Sequence, residues 1–157
     1  MLFDQEYVDG KYIERLGGDY IHGRFQGLLA AALGARKRER RFHVFLSLTV
    51  RLHDECYRIP DICVKALPYE KAPVLTCPDL AIEIVSPDDD AVQMLTKIGD
   101  YLAAGIPHIW VIDPYKRTLV EADHAGIRRP AAQTLSTPLV GDVDFAPLFE
   151  DLDERTE

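Results

Sequence analysis

The spacing of apolar side chains along the chain changes several times between the period of a strand and that of a helix. The segment EYVDGKYIE, residues 6–14, predicts a β-hairpin, because Asp9-Gly10 tolerates the positive φ angles of a two-residue turn. Residues 22–38 then predict a helix, since apolar side chains recur there at steps of three and four residues: Phe25, Leu28, Leu29, Ala32 and Leu33.

Three strands are predicted next. Residues 41–52 alternate between apolar and polar side chains, which is typical of one long strand with a single buried face. A second strand is predicted over Tyr57–Val64. The third, over Asp79–Val85, is apolar on both faces apart from Glu83, as is usual for a strand in the middle of a sheet.

The second half of the chain predicts one more helix and a pair of strands. The helix is expected to be capped by Ser86 or an aspartate after it, and to end before Gly105 and Pro107. Residues 108–114 and 118–122 predict paired strands, and the last thirty residues predict one further strand and an irregular acidic tail. The predicted buried stripe of the helix is Ala91, Leu95, Ile98 and Leu102.

These elements together predict an α/β (α+β) fold, with a mixed central β-sheet flanked by helices on both faces. A length of 157 residues fits a single domain over residues 1–157. The longest apolar run, residues 28–35, is much shorter than the roughly 20 residues that a membrane-spanning helix needs. The N-terminus lacks the pattern of a secretion signal, so no membrane association is expected.

Charge and cysteine content narrow the class of function. The net charge is −8, and residues 150–157 supply half of it through five acids and one arginine. A surface that coats DNA broadly is not expected, because such surfaces cluster Lys and Arg. The basic cluster at residues 36–41 either contacts phosphates or lies solvated at a helix end. The three cysteines fit neither a zinc site nor a disulfide framework, so a reducing, cytoplasmic setting is expected.

Two acidic side chains interrupt otherwise apolar strands. Asp61 lies within RIPDICV and Glu83 within LAIEIV, whereas Glu6 and Glu14 flank the predicted hairpin and are expected to be solvated. An ionised carboxylate buried without a partner costs several kcal/mol. Either each of the two strand acids has its own cationic partner, or both converge on a shared cation. Two carboxylates on adjacent strands form a hard-oxygen site that suits Mg²⁺.

Lys97 and His22 are the other candidate site residues. Lys97 is expected at the edge of the buried face of the second helix, with its ammonium reaching a cleft. A structural ion pair between Glu83 and Lys97 is an alternative, and Lys65, on the same predicted strand face as Asp61, is a rival ammonium. His22 either caps the first helix or joins the site.

Six segments of the chain form one combined motif: residues 6–14, His22-Gly23, Pro60-Asp61, PDLAIEIVSP at 78–87, Lys97 with Tyr101, and GIPHIWVIDP at 105–114. Together they resemble the Uma-two family of restriction endonucleases, which belongs to the PD-(D/E)XK nuclease superfamily. The resemblance covers roughly residues 5–125.

The resemblance implies a restriction-endonuclease-like core that hydrolyses DNA phosphodiester bonds with Mg²⁺, for which Mn²⁺ can substitute. Asp61 and Glu83 match the two acids of the family motif and, with the backbone carbonyl of Ile84, are the implied metal ligands. Lys97 matches a lysine that in this family lies on the following helix, and His22 is an implied accessory catalytic group. The resemblance also implies DNA as the partner and a homodimer.

The sequence departs from the superfamily pattern at two positions. Val85 stands where the wider superfamily has a lysine two residues after the second acid, and Lys11 stands where the family commonly has an acid. The broken motif and the acidic net charge support an alternative function. In that alternative the chain is a catalytically inactive nuclease-fold module that interacts with nucleic acid or protein.

Overall fold

The computed structural model describes residues 5–15 and 17–157, and this part of the chain forms strands and four helices. The helices are α1 Tyr20–Gly34, α2 Lys37–Arg40, α3 Ala91–Ala103 and α4 Ala146–Asp151. The strands are β1 Gln5–Val8, β2 Lys11–Glu14, β3 Phe42–Leu46, β4 Val50–His53, β5 Cys56–Arg58, β6 Ile62–Ala66, β7 Leu75–Thr76, β8 Leu80–Ile84, β9 His108–Asp113, β10 Thr118–Asp123, β11 Gly126–Arg128, β12 Thr134–Thr137 and β13 Gly141–Asp144.

Six strands form the central sheet, in the order β11-β10-β9-β8-β6-β3. β8 and β9 pair in parallel and the other neighbours pair antiparallel, so the sheet is mixed. One face packs against α1 and α4, through Phe25 and Phe149 among others. The other face packs against α3, through Met94 and Ile98. The predicted mixed sheet with helices on both faces is confirmed.

A second sheet, in the order β2-β1-β5-β4-β7, packs against the α3 side of the central sheet through Val50 and Leu75. The predicted N-terminal hairpin forms one edge of this second sheet. Its strands pair antiparallel, and the turn residues Asp9 and Gly10 have φ angles of 51° and 79°. The predicted two-residue turn is therefore confirmed.

Two of the predicted strands are wrong, because each is divided between the two sheets. Residues 41–52 form β3 in the central sheet and β4 in the second sheet, with a break at Ser47, whose φ is 49°. Residues 57–64 are divided in the same way between β5 and β6. Alternation continues across the break at Ser47 and hides it, whereas the second break coincides with Pro60, which cannot donate to a strand ladder. Asp61 thus lies where the chain crosses between sheets, not inside a strand.

Both long helices begin at an aspartate that accepts hydrogen bonds from the first turn. Asp19 accepts from the backbone N–H of His22, and Asp90 accepts from those of Val92 and Gln93. The predicted capping aspartate of the second helix is therefore Asp90. Within the described residues, no helix combines the length and apolarity needed to cross a bilayer.

The predicted buried stripe of α3 is wrong except at one position. The helix buries Met94, Ile98 and Tyr101. In this orientation the ring of Tyr101 is buried and its hydroxyl donates a hydrogen bond to Glu83 on the sheet. The predicted aliphatic stripe would leave Tyr101 without both contacts. The remaining residues of the predicted stripe are exposed or half-buried: Ala91, Leu95 and Leu102.

The C-terminal region is more ordered than the predicted single strand and irregular tail. β12 and β13 pair antiparallel, and α4 follows them. The ring of Phe149 in α4 stacks on Phe25 of α1 with centroids 5.4 Å apart, and Phe145 lies beside both rings. These buried aromatic side chains attach the segment to the core, which acidic composition alone does not predict.

Candidate active site

A cavity of about 340 Å³ opens between the N-terminal hairpin, the β5–β6 crossing, the end of β8 and one face of α3. The predicted site residues Asp61, Glu83, Lys97 and His22 all line it, as does Ile84. The structure therefore brings together side chains that lie up to 75 positions apart in the sequence (97 − 22). The sequence-based expectation that the two strand acids share one cleft agrees with this geometry.

Glu83 is the more deeply enclosed of the two acids, with only 2% of its surface exposed. Its Oε1 accepts a hydrogen bond of 2.5 Å from the Tyr101 hydroxyl, and its Oε2 lies 3.8 Å from the Lys97 ammonium. Burial raises the pKa of Glu83 to about 7; Lys97 opposes this shift, and the nearby charge of Asp61 adds to it. A cation in the cavity would favour the ionised form of this carboxyl.

Asp61 is buried as well, and both of its carboxylate oxygens have partners. Oδ2 accepts a hydrogen bond of 2.7 Å from the backbone N–H of Ile84, which fixes the carboxylate next to the residue that follows Glu83. Oδ1 accepts a hydrogen bond of 2.5 Å from Arg15 and lies 3.2 Å from Nε2 of His22. Asp61 is thus held between β8 and the start of α1.

Of the two candidate lysines, only Lys97 lies at the cavity. It projects from the side of α3 that faces Glu83, and its side chain is 19% exposed. Lys65 instead donates hydrogen bonds to the backbone carbonyls of Thr76 and Cys77, and it is not among the cavity residues. The rival ammonium therefore has a structural role in the connection before β8.

His22 is buried in the first turn of α1 with its ring directed at Asp61. The hydrogen bond with Asp61 raises the pKa of His22, and burial opposes that shift. Gly18 lies directly against the ring, since a Cβ at that position would be 2.3 Å from Nδ1 of His22. The ring keeps its place beside Asp61 only because Gly18 has no side chain.

This contact gives a prediction for Gly18→Ala. The added methyl group has to displace the ring of His22, so we expect the hydrogen bond with Asp61 to be lost and the pKa of His22 to fall towards its ordinary value. The pKa is measured by NMR titration of the ring, and Gly27→Ala is the control, because a Cβ there meets no atom within 4 Å. Equal pKa values of His22 in the two variants would show that Gly18 does not hold the ring beside Asp61.

Glu6 and Arg58 are site residues that the sequence analysis missed. Glu6 was expected to be solvated, and this is wrong: it is 3% exposed, lines the cavity, and lies 3.0 Å from the Arg58 guanidinium. Its other oxygen accepts from the backbone N–H of Ile59, and Arg58 also pairs with Asp100 on α3. The sequence signal for Glu6 was the alternation of β1, which places Glu6 on the same strand face as the apolar Val8 and so predicts its burial.

Glu14 is exposed, as expected.

The chemistry of the lining fits a hard divalent cation. More acids than bases face the cavity, and among residues 5–15 and 17–157 no three His, Cys, Asp or Glu side chains are grouped to hold a metal by themselves. Mg²⁺ is commonly bound through one or two carboxylates and keeps several waters as its other ligands. Two acids and a backbone carbonyl oxygen would therefore be sufficient protein ligands. The acids are Glu6, Glu14, Asp61, Glu83, Asp88 and Asp89, and the bases are Arg15, His22, Arg58 and Lys97.

The basic cluster at residues 36–41 lies away from this cavity. It follows the C-terminal end of α1, whereas His22 is in the first turn, and about 20 Å of helix separates the two ends at roughly 1.5 Å per residue. Arg36 donates hydrogen bonds to the backbone carbonyls of Val140 and Asp142. Arg36 therefore fixes the β12–β13 hairpin, and its guanidinium is already engaged by the protein.

A family model and a solved structure match this chain. The chain matches the Uma2 family model, described as "Putative restriction endonuclease", over residues 2–134. Its fold is similar to that of a crystal structure from Anabaena variabilis ATCC 29413, described as a putative nuclease belonging to DUF820. The TM-score is 0.80 at 24% identity, and the match covers 93% of this chain and 89% of that one. No curated protein gives a significant match.

Proposed function

The chain belongs to the Uma2 family, and from this premise we propose that it is a Mg²⁺-dependent endonuclease that hydrolyses DNA phosphodiester bonds, with Mn²⁺ able to substitute. One observation carries the proposal: two buried carboxylates, Asp61 and Glu83, line the same cavity, with the Lys97 ammonium 3.8 Å from Glu83. Such buried acids are costly for folding and are concentrated at sites that bind cations or move protons.

Each residue of the site has a proposed role. Asp61, Glu83 and the backbone carbonyl of Ile84 would hold the ion, which would supply a bound water of lowered pKa and polarise the phosphate. Lys97 donates a hydrogen bond to the attacking water and offsets the negative charge of the transition state. Tyr101 donates to Oε1 of Glu83 and fixes the orientation of this carboxylate.

His22 is proposed as an accessory group that acts through Asp61. Its Nε2 lies 3.2 Å from Oδ1 of Asp61, whereas the Ile84 N–H donates to the other oxygen, Oδ2. The ring and the backbone N–H together hold the carboxylate through both of its oxygens. Fixing a ligand in this way is how outer partners support a metal site.

Substrate, assembly and location complete the proposal. The family description, a restriction endonuclease, supports DNA as the substrate. A homodimer is the working form that we propose from the sequence resemblance. A reducing, cytoplasmic setting agrees with the free thiols of Cys56, Cys63 and Cys77. Light scattering of the purified protein tests the homodimer, since a mass of one chain, 17.7 kDa, would contradict it.

A plasmid-nicking assay tests the proposed activity. We expect supercoiled plasmid to be nicked in Mg²⁺ and in Mn²⁺ but not in EDTA, because two carboxylates without a cation cannot hold a phosphate. Calorimetry with Mn²⁺ provides the matching binding measurement. Neither nicking nor metal binding at millimolar concentration would contradict the proposal and favour the inactive nuclease-fold module.

Lys97→Met is expected to separate catalysis from metal binding. We expect the nicking rate to fall about 100-fold, the lower range for a group that assists proton transfer. The affinity for Mn²⁺ should stay the same or rise, because the variant removes a competing positive charge from Glu83. Lys65→Met is the control and should nick like the parent. A larger fall in the nicking rate of Lys65→Met than of Lys97→Met would mean that Lys65, and not Lys97, supplies the ammonium.

The double variant Glu83→Leu with Lys97→Met tests the alternative that these residues form only a structural ion pair. Exchanging a buried ion pair for apolar side chains is often neutral or stabilising. We expect this variant to stay folded and to lose both Mn²⁺ binding and nicking. Tyr101→Phe is added for the measurement of stability, because the buried hydroxyl would otherwise lose its acceptor, Glu83. With this third substitution the melting temperature should be unchanged or higher. Retention of both activities would support the purely structural role.

A further inference from the structure

The cationic side chains at the candidate active site are already engaged by acids of the protein. Each one that lines the cavity lies 2.5–3.8 Å from a carboxylate oxygen. Proteins that bind duplex DNA attract its backbone with clustered Lys and Arg. Among the described residues, the cavity wall offers no unpaired cation for this purpose. The pairs are Arg15 with Asp61, His22 with Asp61, Arg58 with Glu6 and Asp100, and Lys97 with Glu83.

Two walls of the same cavity instead present apolar side chains to the solvent. On the hairpin, Ile13 pairs with Glu6 across β1 and β2, so both side chains lie on the cavity face of the hairpin. Ile13 is 46% exposed. On α3, Val92 lies in the first turn, lines the cavity and is 70% exposed. The hairpin wall and the helix wall are thus both available for apolar contact with a ligand.

The two acids lie deeper in the cavity than these apolar side chains. Only 3% of Asp61 and 2% of Glu83 is exposed. A phosphate that reaches them therefore has to enter between the hairpin and α3, and the attached nucleotide has to follow it. The cavity volume, about 340 Å³, is in the range of pockets that enclose one small-molecule ligand. A nucleotide inside a duplex cannot enter such a pocket unless it first leaves the base stack.

We infer that the protein acts on unpaired DNA, with the base of one nucleotide between Ile13 and Val92 and the adjoining phosphate at Asp61 and Glu83. This inference rests on the proposed nuclease function and names its substrate class. The binding energy comes from apolar contact with the faces of an unstacked base, which every base offers and which needs no free cation. A paired base keeps its faces inside the duplex and cannot make this contact.

Two pairs of substrates that differ only in base pairing test the substrate class. The first pair is a fluorescein-labelled oligonucleotide, alone and annealed to its complement. The second is one plasmid in its negatively supercoiled form, in which strand opening is favoured, and in its relaxed closed form. We expect the first member of each pair to be cleaved at least about tenfold faster, because only fully paired DNA has to be opened first. Equal rates within either pair would overturn the inference.

Substitutions of Ile13 test the apolar wall without changing an acid. Ile13→Tyr enlarges the apolar surface that a base contacts, Ile13→Thr replaces part of it with a hydroxyl, and both new residues favour strands. Binding of the labelled single strand in Ca²⁺ is measured by fluorescence anisotropy. We expect Ile13→Tyr to bind at least about threefold more tightly than the parent, and Ile13→Thr at least about threefold more weakly.

Ile127 provides the matched control for both substitutions. Like Ile13 it lies on the edge strand of a sheet and is about half exposed, at 50%, but it does not line the cavity. Ile127→Tyr and Ile127→Thr should therefore bind the single strand like the parent. Equal affinities of the Ile13 variants and the corresponding Ile127 variants would overturn the proposed contact with the base.

The outcome for the substrate class is separable from that for the nuclease function. If the parent cleaves DNA and Asp61→Asn does not, but paired and unpaired DNA are cleaved equally fast, only the substrate class is wrong. If the parent cleaves neither form, the proposed function fails and the binding measurement alone decides. Tighter binding of the single strand than of the duplex, altered at Ile13 and not at Ile127, would then still assign the cavity to unpaired DNA. Equal binding of the two forms would overturn that assignment.

Discussion

Asp61→Asn is expected to lower the rate of plasmid nicking on the order of a thousandfold or more, as loss of a central group in a catalytic unit does. Asparagine keeps the shape of the side chain and an oxygen that can accept from the Ile84 N–H at 2.7 Å. It removes the negative charge that faces Arg15 and that a cation would require. The measurements are initial nicking rates in Mg²⁺ and Mn²⁺, the calorimetric affinity for Mn²⁺, and the melting temperature.

Two further variants make this result specific to the site. Glu83→Gln should lose nicking and Mn²⁺ affinity to a similar extent, because the two acids hold the same ion in the proposal. Asp54→Asn is the control: its carboxylate is 82% exposed, pairs with Arg51 at the surface, and does not line the cavity. The site assignment is wrong if Asp61→Asn and Glu83→Gln nick as fast as Asp54→Asn.

Arg58→Met is expected to destabilise the protein by about 3–5 kcal/mol, the usual cost of removing one partner from a buried ion pair. Arg58 is 5% exposed and contacts Glu6 at 3.0 Å and Asp100 at 2.8 Å. Its loss leaves the carboxylate of Glu6 buried with no guanidinium beside it. It also removes the link between the N-terminal hairpin, β5 and α3. The free energy of unfolding is measured by urea denaturation.

Two comparisons test the cause of this destabilisation. In the double variant Glu6→Leu with Arg58→Met the unpaired charge is gone, so most of the lost stability should return. Arg128→Met removes surface ion pairs to Glu121 and Asp123 and should leave the denaturation midpoint unchanged. A midpoint for Arg58→Met equal to that of Arg128→Met would mean that the Glu6–Arg58 pair does not hold the fold.

Local signals were sufficient for the N-terminal hairpin and the middle of the central sheet. Asp9-Gly10 predicted the turn of the hairpin, and the continuous apolar run at residues 79–85 predicted a strand covered on both faces, which is the place of β8 between β6 and β9. Asp61 and Glu83 were identified because each interrupts such a run, and both are buried. These predictions succeed because a strand covered on both faces has to be apolar on both faces.

The break at Ser47 could not be predicted in this way, because residues 41–52 keep their alternation across it. Residues 57–64 do not alternate, and the apolar side chains on both sides of Asp61 were interpreted as one strand. The orientation of α3 depended likewise on a distant partner. Its buried stripe is set by the contact of Tyr101 with Glu83, and not by the aliphatic residues of the helix alone.

The sequence by itself determined the fold class, the order of most elements and the two acids that have to be compensated. Only the tertiary structure decided what compensates them. Asp61 meets Arg15 across 46 positions, Glu6 meets Arg58 across 52, and Glu83 meets Tyr101 across 18. Secondary-structure patterns extend over a few residues, since they reflect local backbone geometry. The pairing of buried charges depends on which distant segments the packing of the core brings together.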